Sequence, residues 1–309
     1  MRNTFVSFIR DSIKDDQRVI LLSGDMGNEL FNDITTDYPS NFLNCGISEA
    51  GMVGMAAGLA IKGLRPYIYS ISPFVTLRVI EQIRIDLCYQ NLPVKIIGLG
   101  AGLSYAKLGP THHALEDLAM TRCLPNIEIL TPSGPSQLRG HLEYSLGSDS
   151  PCYIRIGKSG EKDLYTSEVP IYPGNFFEII KGNDVLILGI GPILKNAVKA
   201  AEMLNEHHVS CAVVDINSLI PIDKKGLDRL ISRKYKAWFV LEEHSVAGGV
   251  YSFLAEYIIL NSLHHHIDAM HSLSVPQHFL HSLGDTDFMH AQLKLDSENI
   301  VISILKLLS

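Results

Sequence analysis

Short apolar runs rich in β-branched residues alternate with longer helical patterns along almost the whole chain. A continuous apolar strand is typical of a strand buried on both faces, and strands that alternate with helices form parallel sheets covered by helices. The sequence therefore predicts an α/β protein with mainly parallel sheets.

The same patterns predict individual elements. In the first half, strands are expected at 19–23, 41–45, 65–71, 94–100, 127–130 and 152–156, and helices at 4–14, 29–37, 48–62, 74–90, 115–123 and 133–146. In the second half, strands are expected at 184–189, 210–216, 237–241 and 267–272, and helices at 193–205, 224–232, 249–260 and 298–308.

The stretch KSGEKDLYTSEVPIYPGN (158–175) loses the apolar periodicity and gathers charge, Gly and Pro, as connections between domains do. The chain has 309 residues, whereas a single core stops growing at about 250. We therefore predict two domains, a first at 1–160 and a second at 176–309, joined by a linker at 161–175. Each is expected to hold a mainly parallel sheet covered by helices.

Composition limits the classes of function. Apolar residues make up 46% of the chain and charged residues 19%, and the net charge is −7. This balance argues against nucleic acid or an anionic membrane as the partner, and no apolar run reaches the roughly 18 residues of a membrane span. We expect a cytoplasmic protein. The five cysteines and the triplet His264 to His266 lack metal-site spacing, so no metal ligand is predicted.

The segment NCGISEAGMVGMAAGLAIKG (44–63) is the first that suggests chemistry. A strand ends, Glu49 opens a helix, and small residues follow at a spacing that permits close approach of another helix. A glutamate in a first helical turn also has an ordinary explanation, because it interacts favourably with the helix dipole and can complete a capping box.

The segment GAGLSYAKLGPTHHALED (100–117) is the second. A strand leads into a glycine-rich loop that ends in His112 and His113 at a helix start. Loops at the carboxyl ends of parallel strands are where α/β active sites lie. Two adjacent histidines are equally compatible with helix caps.

Together these segments resemble the pyrimidine-binding domain of transketolase-type thiamine diphosphate enzymes. GISEAGMVGMAAGLA is similar to the family's cofactor-activating glutamate segment, and GPTHHALED to the G-P-T-H loop of transketolases. Their order and spacing also agree. Residues 181–309, with VLEEHSVAGGVYSFLAE, resemble the family's C-terminal domain, so the resemblance covers nearly the whole chain.

The resemblance implies a fold, a cofactor and a partner. Complete enzymes of this family also have an N-terminal domain that carries the diphosphate and metal ligands, and this chain contains no counterpart. The resemblance therefore implies the C-terminal half of a split enzyme that forms an oligomer with an N-terminal-half subunit. Thiamine diphosphate with Mg²⁺ is the implied cofactor, with its diphosphate and metal ligands on that partner.

It also implies residue roles. Glu49 would be catalytic by hydrogen-bonding N1′ of the cofactor's pyrimidine, and Phe74, or Val75 beside it, would stack on that ring. His112 would be catalytic and substrate-binding, because a side chain that titrates near neutrality can exchange a proton with the substrate carbonyl oxygen. His113 is a further candidate for substrate binding.

Substrate contacts depart from the family's pattern. Gly100 or Ala101, and Leu108, stand where transketolases have a histidine and an acidic residue. Lys158 falls where the family carries a phosphate-binding arginine, and a lysine can hold a phosphate as a point charge, although an exposed lysine at a linker is equally common. The predicted function is a subunit of a transketolase that moves a two-carbon ketol unit from a ketose, phosphorylated if Lys158 binds phosphate, to an aldehyde.

Three alternatives stay open. The β subunit of a 2-oxoacid dehydrogenase has the same two domains and the same glutamate, but lacks the histidine of G-P-T-H. An enzyme like deoxyxylulose-phosphate synthase shares the glutamate and a T-H loop, but is normally a single chain. A catalytically inactive partner subunit would keep the fold and lose the substrate residues.

Overall fold

Two sheets, of seven and five strands, organise the part of the chain that the computed structural model describes, residues 1–27, 29–165 and 172–308. The strands are β1 Val19–Ser23, β2 Phe42–Asn44, β3 Arg65–Ile71, β4 Lys95–Leu99, β5 Glu128–Leu130, β6 Cys152–Ile156, β7 Phe177–Ile180, β8 Val185–Gly189, β9 Cys211–Asp215, β10 Ser218–Ile220, β11 Ala237–Ser245 and β12 Met270–Val275.

Parallel pairing dominates both sheets. The first sheet has the order β10-β5-β6-β4-β3-β1-β2, and β10 alone pairs antiparallel, with β5. The second has the order β12-β11-β8-β9-β7, with β7 antiparallel to β9. The predicted α/β class with mainly parallel sheets is confirmed.

Helices cover the sheets. They are α1 Arg2–Asp15, α2 Asn32–Asp37, α3 Glu49–Ile61, α4 Ser72–Val75, α5 Ile80–Gln82, α6 Asp117–Arg122, α7 Pro135–Gly147, α8 Leu194–Glu206, α9 Lys224–Ser232, α10 Val250–Leu260, α11 Thr286–Gln292 and α12 Ser297–Leu308. Short 3₁₀ turns lie at Glu29–Phe31, Pro39–Asn41, Leu77–Val79, Ala106–Leu108 and His264–His266, and a π-helical segment at Ile83–Tyr89.

The central strands are buried along their whole length because helices lie on both faces. Every residue of β1, β4, β6, β8 and β9 is buried, as continuous apolar runs require. None of the helices in the described ranges combines the length and the apolarity needed to cross a bilayer.

The predicted continuous helix at 74–90 is wrong. Helix α4 ends at Val75, the backbone at Thr76 leaves the helical region (φ −124°, ψ −78°), and a π-helical segment follows from Ile83. The Thr76 hydroxyl donates to the Ser72 carbonyl oxygen at 2.6 Å. Such a local side-chain bond offers the backbone an alternative to a regular helix.

The connection between the two halves is only partly described, since residues 166–171 of the predicted linker 161–175 lie outside the described residues. Before them, the Asp163 carboxylate accepts from the Ser136 amide at 2.8 Å, at the start of α7. Beyond the connection, β10 completes the first sheet. The two halves therefore share a sheet edge as well as a packed interface, which the sequence did not indicate.

The carboxyl ends of the parallel strands meet at one edge of the first sheet, as the fold requires. Strand β2 leads to Glu49, β3 to Phe74, β4 to the loop that carries His112, and β6 to Lys158. The fold thus gathers four distant sequence segments along one edge.

Candidate active site

Glu49 opens α3 and is only 3% exposed. Its Oε2 lies 2.7 Å from Arg78 Nη1, and its Oε1 accepts from the Ser70 hydroxyl at 3.3 Å. A Cβ at Gly24 would lie 3.6 Å from Oε1, so this glycine keeps space beside the carboxylate. No side-chain hydrogen bond caps the start of α3. The capping-box explanation therefore does not account for this glutamate.

Phe74 lies beside Arg78, which forms the ion pair with Glu49. Its half-buried ring has the Arg78 guanidinium carbon 4.1 Å from the ring centroid, a cation–π distance. The ring also makes an edge contact with the imidazole of His112, with centroids 5.2 Å apart. Val75, the alternative for a stacking residue, is completely buried in the core. Of the two, Phe74 is the residue that reaches the edge on which His112 lies.

His112 is half-buried on the loop after β4. Its Nδ1 lies 2.9 Å from the Thr111 hydroxyl, and its ring is 6.0 Å from that of Tyr105. Burial lowers the pKa of His112 below its ordinary value, so the ring is predominantly neutral at pH 7.

His113 points the other way. It is 3% exposed, and its Nε2 lies 3.3 Å from the Ala106 carbonyl oxygen inside the loop. Burial, more than the neighbouring His112, lowers the pKa of His113. Its ring therefore braces the loop and does not reach the surface on which His112 is accessible.

Lys158 is exposed just after β6. Its Nζ lies 4.9 Å from the centroid of the Tyr105 ring. Since Tyr105 also contacts His112, contacts run without a break from Glu49 to Lys158. The structure thus brings together four of the five residues that the sequence nominated, and His113 supports the loop from inside.

Arg78, Ser70 and Tyr105 belong to this row, and the sequence analysis missed them. Arg78 follows Phe74 by four residues, but the helix breaks at Thr76 between them, so helical spacing does not account for their contact. Ser70 and Tyr105 had no sequence signal either, because their contacts depend on how β3 packs beside α3 and on how the loop folds.

The site is open on one side. Strand β2 is exposed at Leu43 and Asn44, and the neighbouring face of α3 exposes Ala50, Gly51 and Gly54. A separate cavity of about 580 Å³ is lined by residues of both halves of the chain, among them Lys158, Lys195, Glu243 and His290. It shares Lys158 with the row, but Glu49 is not in its lining. The row of side chains, and not this cavity, therefore marks the candidate active site.

The side chains fit one end of thiamine diphosphate. A buried carboxylate with space beside Oε1 suits a ring nitrogen that shares a proton, and the half-exposed Phe74 ring offers a flat apolar face. Among the residues that the structure describes, no three His, Cys, Asp or Glu side chains are grouped so as to hold a metal ion.

Comparison with known families places the chain. The model of the transketolase pyrimidine-binding domain matches residues 1–160, and that of the transketolase C-terminal domain matches residues 178–300. The chain therefore belongs to the transketolase family, whose members depend on thiamine diphosphate.

Two relatives and one solved structure show which members of the family the chain is similar to. An apulose-4-phosphate transketolase subunit of Actinobacillus succinogenes is 34% identical over 222 residues, 72% of this chain and 71% of that protein. The 1-deoxy-D-xylulose-5-phosphate synthase of Carboxydothermus hydrogenoformans is 35% identical, over 73% of this chain but 36% of that protein. A split-gene transketolase in an inactive β4 tetramer superposes with a TM-score of 0.85 at 29% identity, over 99% of this chain and 96% of that one. The predicted resemblance to a transketolase subunit is confirmed.

Proposed function

We propose that this chain is the second-half subunit of a split transketolase, which moves a two-carbon ketol unit from a ketose to an aldehyde. The observation that carries the proposal is the row of contacts from the buried Glu49 carboxylate through Arg78 and Phe74 to His112. The extent of the matches supports it too, since they cover 71% of a related transketolase subunit and 96% of a split-gene transketolase chain.

Glu49 would hold a proton at the pyrimidine N1′. When bound, thiamine diphosphate supplies the carbon nucleophile and the electron sink for breaking the ketose carbon–carbon bond. Arg78 occupies Oε2, which leaves Oε1 for the cofactor, with Ser70 as its weak 3.3 Å neighbour. Burial keeps water from competing for the carboxylate, so the proton stays between Glu49 and N1′.

His112 would act at the substrate carbonyl oxygen. Thr111 engages Nδ1 at 2.9 Å, and Nε2 makes no hydrogen bond with any described residue. With a lowered pKa the ring is neutral, so it can accept the proton of the hydroxyl beside the breaking bond, as that hydroxyl becomes the carbonyl of the departing aldehyde. After transfer it returns the proton to the carbonyl oxygen of the acceptor aldehyde. Phe74 and Tyr105 fix the ring from two sides.

We assign the diphosphate and Mg²⁺ ligands to a partner, the N-terminal-half subunit of the enzyme. Its support is that relatives of this length are named as transketolase subunits and not as whole enzymes, and that the small-residue face of α3 beside Glu49 is exposed. The enzyme would be a hetero-oligomer.

We also propose that the substrate is a sugar phosphate bound at Lys158, which is exposed at the end of the row, and that His113 serves the loop and not the substrate. The division into 1–160, a linker at 161–175 and 176–309, and the cytoplasmic location, stay predictions from the sequence.

A second candidate is a condensation of the 1-deoxy-D-xylulose-5-phosphate synthase type, because a relative of that name is 35% identical. The β subunit of a 2-oxoacid dehydrogenase and an inactive subunit remain alternatives without a specific observation in their favour.

The test is an assay of this chain mixed with the N-terminal-half subunit, thiamine diphosphate and Mg²⁺. We expect ketol transfer from a ketose phosphate to an aldehyde phosphate, without release of CO₂. Carbon dioxide release from pyruvate with a ketose phosphate as product would favour the synthase, and the absence of either reaction in an assembled complex would favour the inactive subunit.

A further inference from the structure

The loop that carries His112 closes on itself at its base. Gly102 and Ala114 form an antiparallel bridge, in which the Ala114 amide donates to the Gly102 carbonyl oxygen at 2.9 Å. We call residues 103–113 the His112 loop. Gly102 has φ +57°, and a Cβ there would lie 2.3 Å from the Glu243 Cβ. Strand β11 of the second sheet is thus packed directly against the base of the loop, where no side chain fits.

Glu243 meets one side of that base directly and the other through Arg155. Its Oε2 accepts from the Leu103 amide at 3.4 Å. Its carbonyl oxygen accepts from Arg155 Nη2 at 2.9 Å, and the same nitrogen donates to the Ala114 carbonyl oxygen at 2.7 Å. The Glu243 side chain therefore holds the Leu103 side of the base, and Arg155 of the first domain connects its backbone to the Ala114 side.

The Glu243 carboxylate is itself oriented. His290 Nε2 hydrogen-bonds Glu243 Oε1, while Asn196 Nδ2 lies 3.1 Å from His290 Nδ1 and also donates to the Leu295 carbonyl oxygen. This arrangement makes Nδ1 the acceptor, so Nε2 carries the proton that faces Glu243. Burial alone would raise the pKa of Glu243, but His290 and Arg155 outweigh it and the pKa lies below the ordinary value. The carboxylate stays charged and fixed at 5% exposure.

Two further contacts join the loop base to the second domain. The Thr286 hydroxyl, at the start of α11, donates to the Leu103 carbonyl oxygen at 3.2 Å. Leu103 and Ala106 are buried in the apolar core that also contains Val185 and Phe239. The His112 ring, by contrast, packs between two rings of the first domain, those of Phe74 and Tyr105.

We infer that Glu243 is a positioning residue that holds the His112 loop in its catalytic geometry, with Thr286 as a weaker second anchor. The second domain would thus act on the reaction without touching the substrate. The role of His112 rests on the proposed function, whereas the anchoring of the loop does not. A displacement of about 1 Å at a catalytic group is enough to reduce turnover strongly.

The test compares Glu243→Gln and Thr286→Val with Glu256→Gln. A glutamine at 243 must turn an N–H toward either the Leu103 amide or His290 Nε2, so one contact is lost at constant size. Thr286→Val removes the hydroxyl and keeps the shape. Glu256 pairs with Arg122 across the same interface at 2.6 and 2.8 Å but does not contact the loop, and its variant is the matched control.

Three measurements are made on the full chain, the last with its partner: amide hydrogen exchange of 103–113, NMR titration of the His112 ring, and kcat with KM. For Glu243→Gln we expect loop exchange about tenfold faster, a His112 pKa nearer its ordinary value, and kcat about tenfold lower with KM little changed. Thr286→Val should change all three in the same direction by less, and Glu256→Gln should change none.

If a folded Glu243→Gln protein has the same loop exchange rates, the same His112 pKa and the same kcat as the wild type, the inference is overturned. If that variant does not fold, the Thr286→Val protein decides, and unchanged loop exchange there overturns it equally. A wild-type complex without transketolase activity, but with a loop that loosens in both variants, would refute the proposed function and leave the anchoring intact.

Discussion

Glu49 and His112 are held in opposite ways. Glu49 lies next to the edge strand β2, on a helix with an exposed neighbouring face, and two side chains, Arg78 and Ser70, engage its carboxylate. His112 has an accessible ring, but the base of its loop is enclosed by Glu243 of the second domain and by the buried Arg155 of the first.

This difference shows that the chain by itself fixes the His112 side of the site more firmly than the Glu49 side. The Arg78–Glu49 pair has a guanidinium that is 46% exposed, whereas the side chains of the Arg155–Asp117 pair are 2% and 0% exposed. A pair with one exposed partner is weaker and freer to rearrange than a pair in which both side chains are buried and fully hydrogen-bonded, and the latter fixes its surroundings. The His112 side is therefore preorganised, and the Glu49 side is arranged to meet another surface.

The largest expected effect is on Glu49. Glu49→Gln fills the same space but cannot exchange a proton with N1′, so kcat of the assembled enzyme should fall by about 10⁴ or more with the fold unchanged. Exposed Glu81, in the neighbouring segment, supplies the control Glu81→Gln. If both variants turn over alike, Glu49 has only a structural role.

His112 comes next. His112→Ala removes the group that exchanges a proton with the substrate oxygen, so kcat and kcat/KM should fall together by about 10² to 10⁴ while cofactor affinity is kept. Steady-state kinetics with cofactor titration measures this. An unimpaired kcat would leave the loop without a chemical role.

The third prediction compares the two arginines directly. Arg155→Met leaves the buried Asp117 without its cation, with the Tyr153 hydroxyl as a remaining donor at 2.6 Å, and should cost about 3–5 kcal/mol of unfolding free energy. Arg78→Met should cost less, about 1–2 kcal/mol, because the Arg78 side chain is 46% exposed, so water can replace it beside the buried Glu49, which also keeps Ser70. Urea unfolding of both variants gives the numbers. Equal losses would mean that the two regions are held alike.

The fourth prediction concerns pH and the domain interface. Burial lowers the pKa of His244 to about 4, although Asp117 opposes this shift, and its Nε2 accepts from the Ala119 amide at 3.3 Å. The unfolded ring titrates near pH 6.5, so this stability is complete above that pH and is lost as pH falls toward 4. Between pH 7 and 5 the wild type should lose about 2 kcal/mol more than His244→Gln in urea unfolding. Parallel pH profiles would contradict this.

The smallest effect is on Lys158. A lysine that holds a remote phosphate contributes binding to ground and transition states alike, so Lys158→Ala should raise KM for a phosphorylated substrate about tenfold with kcat little changed. An unphosphorylated analogue should show no difference. Equal KM changes for both substrates would remove Lys158 from the site.

Local patterns predicted most of the fold. Strands β1, β3 and β6 begin and end at the predicted residues, because their apolar runs are bounded by turn residues. Strands β7 and β10 were not predicted. Each is short, and each forms by antiparallel pairing with a strand distant in sequence, β7 with β9 and β10 with β5.

The candidate site was likewise predicted only in part. The parallel-strand rule pointed to the loop that carries His112, whereas the roles of Glu49, Phe74 and Lys158 came from the resemblance to the family. The contact of Arg78 with Glu49 depends on the break in the helix at Thr76, and Glu243 contacts Leu103 across 140 positions of sequence. No local sequence pattern predicts a contact that depends on a helix break or on a partner so far along the chain.

The most direct test of a site shared between two chains is calorimetric titration of thiamine diphosphate with Mg²⁺ into this chain alone, the N-terminal-half subunit alone, and their mixture. We expect micromolar binding in the mixture, no measurable binding to this chain alone, and weak binding to the other subunit. Micromolar binding by this chain alone would contradict a site shared between two chains, because the diphosphate and its metal would then have ligands here.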